Sequence, residues 1–149
     1  MNDKIHSGNP DQAAVREVLE RWLAAARQSD LDGIFSCYAD DIVAYDAVLA
    51  LRFVGAEAYR KHWKACIEMC PGPVLFQMGE LKVEASADVA FAFYLLRCGA
   101  VDDKGVEQAS WMRVTVCLKK RAAGWRVVHE HFSAPFDPQT NKALFDLAP

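Results

Sequence analysis

The sequence has no apolar run approaching the ~18 residues that a membrane-spanning helix needs. It has no C-x-x-C pair among its five cysteines, which removes the common redox and zinc signatures. It has no excess of basic residues: 17 Lys and Arg stand against 20 Asp and Glu, for a formal charge of -3. A nucleic-acid surface usually shows the opposite balance. The only basic run, LKKR at Leu118 to Arg121, reads as the tip of a hairpin. Repeats, linkers and low-complexity segments are missing too. The first ten residues, MNDKIHSGNP, carry no apolar signal core. These absences lead to the expectation of a cytoplasmic protein with no membrane or nucleic-acid partner. Cys37, Cys66, Cys70, Cys98 and Cys117 lie mostly inside apolar patterns. They are expected to be buried free thiols in a reducing compartment.

The 149 residues suit one domain over 1–149, large enough to bury a core without staples. Four Trp, four Tyr and eight Phe are a generous aromatic stock for one core, and some could line a cavity. Asn9 is a cap candidate, with Pro10 at the first helical position and Gln12 where a capping box places Glu or Gln. Val15, Val18, Leu19, Trp22 and Ala26 then recur at helical spacing until about Gln28. Asp30 is a second cap, before a short helix marked by Leu31, Ile34, Phe35 and Tyr38. Ile42 to Ala47 is a short β-rich run, and VLALRFVG reads as a loop with some extended pairing. A third helix places Tyr59, Trp63, Cys66 and Ile67 on one face and stops at Pro71-Gly72-Pro73.

From Val74 onward the sequence reads as strands: Val74–Ala85, Val89–Val101, Val106–Lys119 and Trp125–Ser133, with a Gly-ended turn at Asp102–Gly105. Helices first and a long meander after them predict an α+β domain. Strands this long must twist and curl. A curled sheet with helices across its open side leaves a cone that either fills or becomes a pocket.

If Val101 faces Val106 and Lys119 faces Trp125, period-two alternation gathers one set of side chains on one face. That set is Tyr94, Leu96, Trp111, Arg113, Thr115, His129 and His131. Glu130 takes the other face. Tyr45, Asp46, Tyr59 and Trp63 are expected close to this polar group. The candidate catalytic residues are therefore Asp46 and His131. The candidate ligand contacts are Tyr45, Trp63, Tyr94, Trp111, Arg113 and His129. Carboxylate, guanidinium and imidazole in one hollow suit acid–base chemistry or anion binding. His129 and His131 could supply two metal ligands with Asp46 as a third, but HEH is not the H-E-x-x-H motif, and the expectation is no metal and no cofactor. Both sheet faces are apolar, which predicts a homodimer through the outer one. QTNKALFDLAP is expected to be a tail on the surface or on the partner.

YADDIVAYDAV, GAEAYRKHW, SWMRVTVCLKK and GWRVVHEHFSAPFD, in this order, resemble the nuclear transport factor 2-like superfamily. The nearest branches are the SnoaL-like and ketosteroid-isomerase-like proteins, including relatives of the calcium/calmodulin-dependent kinase II association domain. The resemblance spans about Pro10 to Asp137. It implies a cone-shaped α+β barrel, usually dimeric, its strongly curved and mostly antiparallel sheet wrapped around the N-terminal helices. Ketosteroid isomerases use an Asp base and a Tyr/Asp oxyanion hole in such a cone; Tyr45 and Asp46 do not match that set residue by residue. Arg113, Thr115, His129, His131 and Ser133 look more like the association-domain and SnoaL-like branch, whose basic pocket can hold small carboxylates. Two functions follow. One is a module that binds a small molecule such as a carboxylate. The other is a cofactor-independent isomerase, hydrolase or cyclase for a small carbonyl or carboxylate compound.

Overall fold

A computed structural model describes residues 9–149 of the chain; the polar leader ahead of them lies outside the described residues. Helix α1 (Pro10–Arg27) begins at Asn9, whose side chain accepts from the Asp11 N–H. Helix α2 (Leu31–Ser36) begins at Asp30, whose side chain accepts from the Gly33 N–H. Each cap satisfies a backbone donor that the helix itself leaves unpaired. Gln12 does not close a capping box. Its side-chain amide instead donates to the Val83 carbonyl.

Strand β1 (Tyr38–Tyr45), the short β2 (Phe53–Val54) and helix α3 (Ala56–Met69) follow. Then come the long strands β3 (Val74–Ala85), β4 (Val89–Val101), β5 (Glu107–Arg121) and β6 (Gly124–Ser133). The six strands form one sheet in the order β2-β1-β6-β5-β4-β3. All pairs are antiparallel except β1 with β6. The sheet is not closed: β2 and β3 are its edges. Helix α1 covers the β3 edge region. Asn9, Gln12 and Arg27 each donate from α1 to a β3 carbonyl, those of Ala85, Val83 and Phe76. An edge strand whose polar groups are occupied in this way is a poor template for another chain.

The core lies between the helices and the concave face of the sheet. Val15, Leu19 and Trp22 from α1, Ile34 from α2 and Tyr59 from α3 meet Ala92, Leu96, Val114, Val116, Leu118 and Val127 from the strands. Among the described residues no helix is long and apolar enough to cross a membrane.

Register decides which side chains enter the cone, and it differs from the sequence expectation in three places. The first is the β4–β5 turn. Val101 pairs with Glu107 rather than Val106, because Asp102 closes a five-residue loop. Its carboxylate accepts from the Lys104 and Val106 N–H groups, and its own N–H donates to the Val106 carbonyl. Every β5 residue is thereby displaced by one, which exchanges the two faces. Met112, Val114, Val116 and Leu118 point inward and are buried. Trp111, Arg113 and Thr115 point outward. The second is the β5–β6 turn, where Lys119 pairs with Arg126 rather than Trp125. The third is a bulge in β6: Leu118 pairs with Val127 but Cys117 pairs with His129, so Val128 is the extra residue. Before the bulge Trp125 and Val127 face inward; after it Glu130 and Phe132 do. A bulge reverses the parity of everything beyond it.

Candidate functional site

These shifts turn the expected site around. His129 and His131 lie on the outer face, where the Tyr45 ring packs edge-on against both. His129 Nδ1 sits 2.6 Å from the Val43 carbonyl, which as the acceptor assigns the proton to Nδ1. Arg113 is exposed on the same face and donates from Nε to Ser133 Oγ at 3.1 Å. The Trp111 ring lies over Gly79 on that face. Tyr94 does point inward, but into the packed core. Only Asp46 and Trp63 of the expected residues stand at the wall of the internal cavity. The histidines and Asp46 are thus on opposite sides of the sheet. No group of three potential metal ligands comes together among the described residues.

The cavity has a volume of about 520 Å³. Helix α3 supplies His62, Trp63 and Cys66 to its wall; the sheet supplies Phe76, Leu96, Cys98, Ser110, Met112 and Phe132. These α3 positions follow Tyr59 at intervals of three, four and seven, one face of a helix. Two flanking segments complete the wall. One is the loop after β1, with Asp46, Ala47 and Val48. The other is the C-terminal segment. It is not a free tail: β7 (Phe136–Asp137) and β8 (Lys142–Ala143) form a small hairpin, and Ala143 and Phe145 reach the cavity. Further along the loop after β1, Leu49 and Leu51 stand largely in solvent, Leu51 with 93% of its surface exposed.

The polar end of the cavity is an ordered network. Asp46 Oδ2 lies 3.4 Å from His62 Nε2 and 3.2 Å from the Tyr59 hydroxyl. Asp46 Oδ1 accepts from the Val48 N–H at 3.2 Å, fixing the start of the loop. Cys66 Sγ is 3.7 Å from the same His62 nitrogen. Behind Asp46 the network runs inward. The Tyr59 hydroxyl is also 3.2 Å from Glu130 Oε2. The Tyr38 hydroxyl donates to that oxygen at 3.0 Å, and accepts from the Trp22 indole N–H at 2.7 Å.

Glu130, the residue the alternation pattern sent outward, is therefore the carboxyl at the bottom of the cone, with 1% of its surface exposed. Burial pushes its pKa up from an ordinary 4.5 to about 8, and the nearby Asp46 pushes in the same direction. The hydrogen bonds from Tyr38 and Tyr59 oppose these effects without overcoming them. The carboxyl is consequently neutral at neutral pH. Burial and the Glu130 carboxyl likewise hold the Tyr38 and Tyr59 hydroxyls well above their ordinary range, so both remain protonated donors. The thiols at the cavity wall are not activated: burial raises Cys66, and raises Cys98 to about 11. A neutral thiol is a weak nucleophile.

The Trp63 indole N–H, near enough to the Tyr59 hydroxyl to oppose its rise in pKa, makes no well-formed hydrogen bond among the described residues. A buried donor without a partner calls for an explanation, and this one belongs to a residue that lines the cavity. No Lys or Arg is among the described lining residues. The sequence missed His62 although its spacing from Tyr59 placed it on the inner face of α3. It missed Glu130 because the bulge at Val128 leaves no mark in an alternation pattern.

A curved, open sheet with helices across its hollow and a polar group at one end of an apolar cavity is the architecture of an NTF2-like protein. Residues 15–137 match the family described as the SnoaL-like domain, and the chain belongs to that family. It is similar to an NTF2-like protein of unknown function from Pseudomonas putida KT2440, at 47% identity and a TM-score of 0.89, over 95% of this chain and 99% of that one. It also shares its fold with a ketosteroid isomerase-like protein from Erwinia carotovora atroseptica SCRI1043, at 21% identity, a TM-score of 0.69 and coverage of 85% and 97%. An NTF2-like protein with a cystatin-like fold from Novosphingobium aromaticivorans DSM matches at 16% identity and a TM-score of 0.71, over 83% and 81%. No curated protein matches the sequence.

Proposed function

We propose that the chain binds a small, uncharged, largely apolar molecule in the cavity, and that Asp46 and His62 exchange a proton with it. The observation that carries this reading is the Asp46–His62 contact, 3.4 Å long, at the wall of an otherwise apolar cavity of about 520 Å³. Cavities of this size suit one drug-sized or smaller ligand. A carboxylate and an imidazole in contact form the minimal acid–base pair. A carbonyl or hydroxyl oxygen on the ligand would give the Trp63 N–H the acceptor it lacks. A carboxylate ligand is disfavoured. Arg113 and His129, the cations expected to hold it, face the other way, and a second negative charge beside Asp46 would be repelled.

The outer face supports assembly. Phe91 and Phe93 stack there with 46% and 47% of their surfaces exposed, with Val89 on the same face of the strand. A second copy of the sheet covers such a face, giving a homodimer. The five free cysteines favour a reducing compartment such as the cytoplasm.

The test is a thermal-shift and tryptophan-fluorescence titration with paired probes, a series of neutral cyclic ketones and alcohols and their carboxylate counterparts. Ligands that bind the folded state raise the melting temperature by mass action. The expected result is a shift with neutral members that Asp46→Asn and Trp63→Phe reduce. Larger shifts with the carboxylates, or none with any probe, overturn the reading.

A further inference from the structure

Tyr59 has one hydroxyl proton and two carboxyl neighbours. Its oxygen is 3.2 Å from Asp46 Oδ2 and 3.2 Å from Glu130 Oε2. One proton can fill only one of these contacts. The other needs a proton carried by a carboxyl group. Tyr38 cannot supply it, because its own proton already goes to Glu130. The Trp22 N–H is also committed, to the Tyr38 oxygen. The five atoms therefore form a satisfied chain only when Asp46 and Glu130 together hold one extra proton.

We propose that Asp46 and Glu130 share that proton across the Tyr59 hydroxyl, so that the carboxyl at the cavity wall is loaded and unloaded from a store that solvent does not reach. With the proton on Glu130, its O–H donates to the Tyr59 oxygen, and the Tyr59 O–H donates to Asp46, which is then a base. The relay moves two protons by one hydrogen bond each. Glu130 passes its proton to Tyr59 as Tyr59 passes its own to Asp46. Glu130 becomes the carboxylate, Asp46 the acid, and Tyr59 is unchanged. No heavy atom relocates and no co-reactant enters.

The surroundings of Glu130 suit it to this role. Tyr38 faces it from β1, Tyr59 from α3, and Tyr94 from β4, where Glu130 contributes to the raised hydroxyl. From β5 its partner in register is Val116, which has nothing to titrate. Beyond Tyr59 come Asp46, His62 and Cys66. His129 and His131 flank it in sequence but lie on the opposite face. The Glu130 proton therefore has one route to the cavity, through Tyr59. The inference rests on Asp46 being the group that meets the ligand. It adds that Asp46 can start a reaction as acid or as base. That suits a reaction that removes a proton from one position of a molecule and returns one to another.

The experiment follows the side-chain carboxyl carbons of Asp46 and Glu130 by NMR from about pH 4 to pH 10, without any ligand. In the wild type, the Asp46 signal is expected to show a step at the pH where Glu130 ionises, as the shared proton redistributes. Tyr59→Phe keeps the ring and removes the relay, so that step disappears. Glu130→Gln also removes it, and carries the test if Tyr59→Phe does not fold. In Asp46→Asn the Glu130 midpoint falls by about one pH unit. Independent single-step titrations in the wild type, or a step that survives in Tyr59→Phe, overturn the relay. The two readings fail separately. A shared step in a protein that binds none of the neutral probes sinks the ligand reading alone. Binding without a shared step sinks the relay alone.

Discussion

Replacing Glu130 with Gln should make the protein more stable at and above neutral pH. The folded state holds the Glu130 proton up to about pH 8, whereas the unfolded chain releases it near 4.5. Below the lower value both states are protonated and the group costs nothing. Between the two, the unfolded state gains stability by ionising while the folded state cannot, so stability falls as pH rises. A gap of about three and a half pH units, at ~1.4 kcal/mol each, is worth roughly 5 kcal/mol once both states are ionised. This is an upper figure, because local relaxation lowers the cost of a buried charge. Gln has the same shape and no charge. Its oxygen accepts from Tyr38, and its amide donates to the Tyr59 oxygen, leaving the Tyr59 proton for Asp46. Urea unfolding at several pH values gives both stabilities. Groups remote from Glu130 titrate equally in both proteins and cancel in the difference; Asp46, coupled to Glu130, does not. The difference should widen in favour of Glu130→Gln by about 4 kcal/mol between pH 5 and pH 9. Parallel curves, within ~1 kcal/mol over that range, would refute the assignment of a neutral buried carboxyl.

Asn9→Ala removes both the α1 cap and the hydrogen bond to the Ala85 carbonyl; a loss of about 1–2 kcal/mol is expected by denaturant unfolding. Gly99→Ala drives a Cβ into the Gln108 carbonyl oxygen on the paired strand. Backbone must move there, so a loss of at least ~1–3 kcal/mol is expected, read as a lower melting temperature. Phe93→Glu puts a charge in the exposed Phe91–Phe93 stack and should dissociate the proposed dimer, read as a halved mass in light scattering with the far-UV spectrum unchanged. Tyr38→Phe leaves the Trp22 N–H without its acceptor and removes one donor to Glu130; a cost of about 1–3 kcal/mol is expected, larger at pH 9 than at pH 6 because the removed donor favours the ionised carboxyl.

The helices and long strands were legible because their signals are local. Asn9-Pro10, Asp30 and Pro71-Gly72-Pro73 mark ends, and apolar spacing marks what lies between. The faces of the strands were not, because facing depends on counting residues through turns and bulges. At Asp102 the count changed by one because a side chain, not a backbone pair, closes the loop. At Val128 it changed again with no Gly or Pro to announce it. Three errors of one residue, the two at the turns cancelling for β6 and the bulge then reversing it, brought Arg113, His129 and His131 inside and sent Glu130 out. Asp46 and Trp63 escaped this because neither lies on β5 or β6. His62 could have been found from the Tyr59 spacing. The C-terminal hairpin could not, since pairs as short as Phe136–Asp137 with Lys142–Ala143 carry no periodicity.

The bulge at Val128 also bears on how this chain tolerates change in length. Val128 is the one residue of the β6 turn-to-bulge segment without a partner on β5. A chain shortened by that residue would run Val127, His129, Glu130 as an ordinary alternation, with Leu118 and Cys117 keeping their partners and Glu130 keeping its place beneath Tyr59. Shortening by one at His131 instead would carry Phe132 from the core to the back of the sheet. Two deletions of equal size, three positions apart, should therefore yield one protein that folds and one that does not.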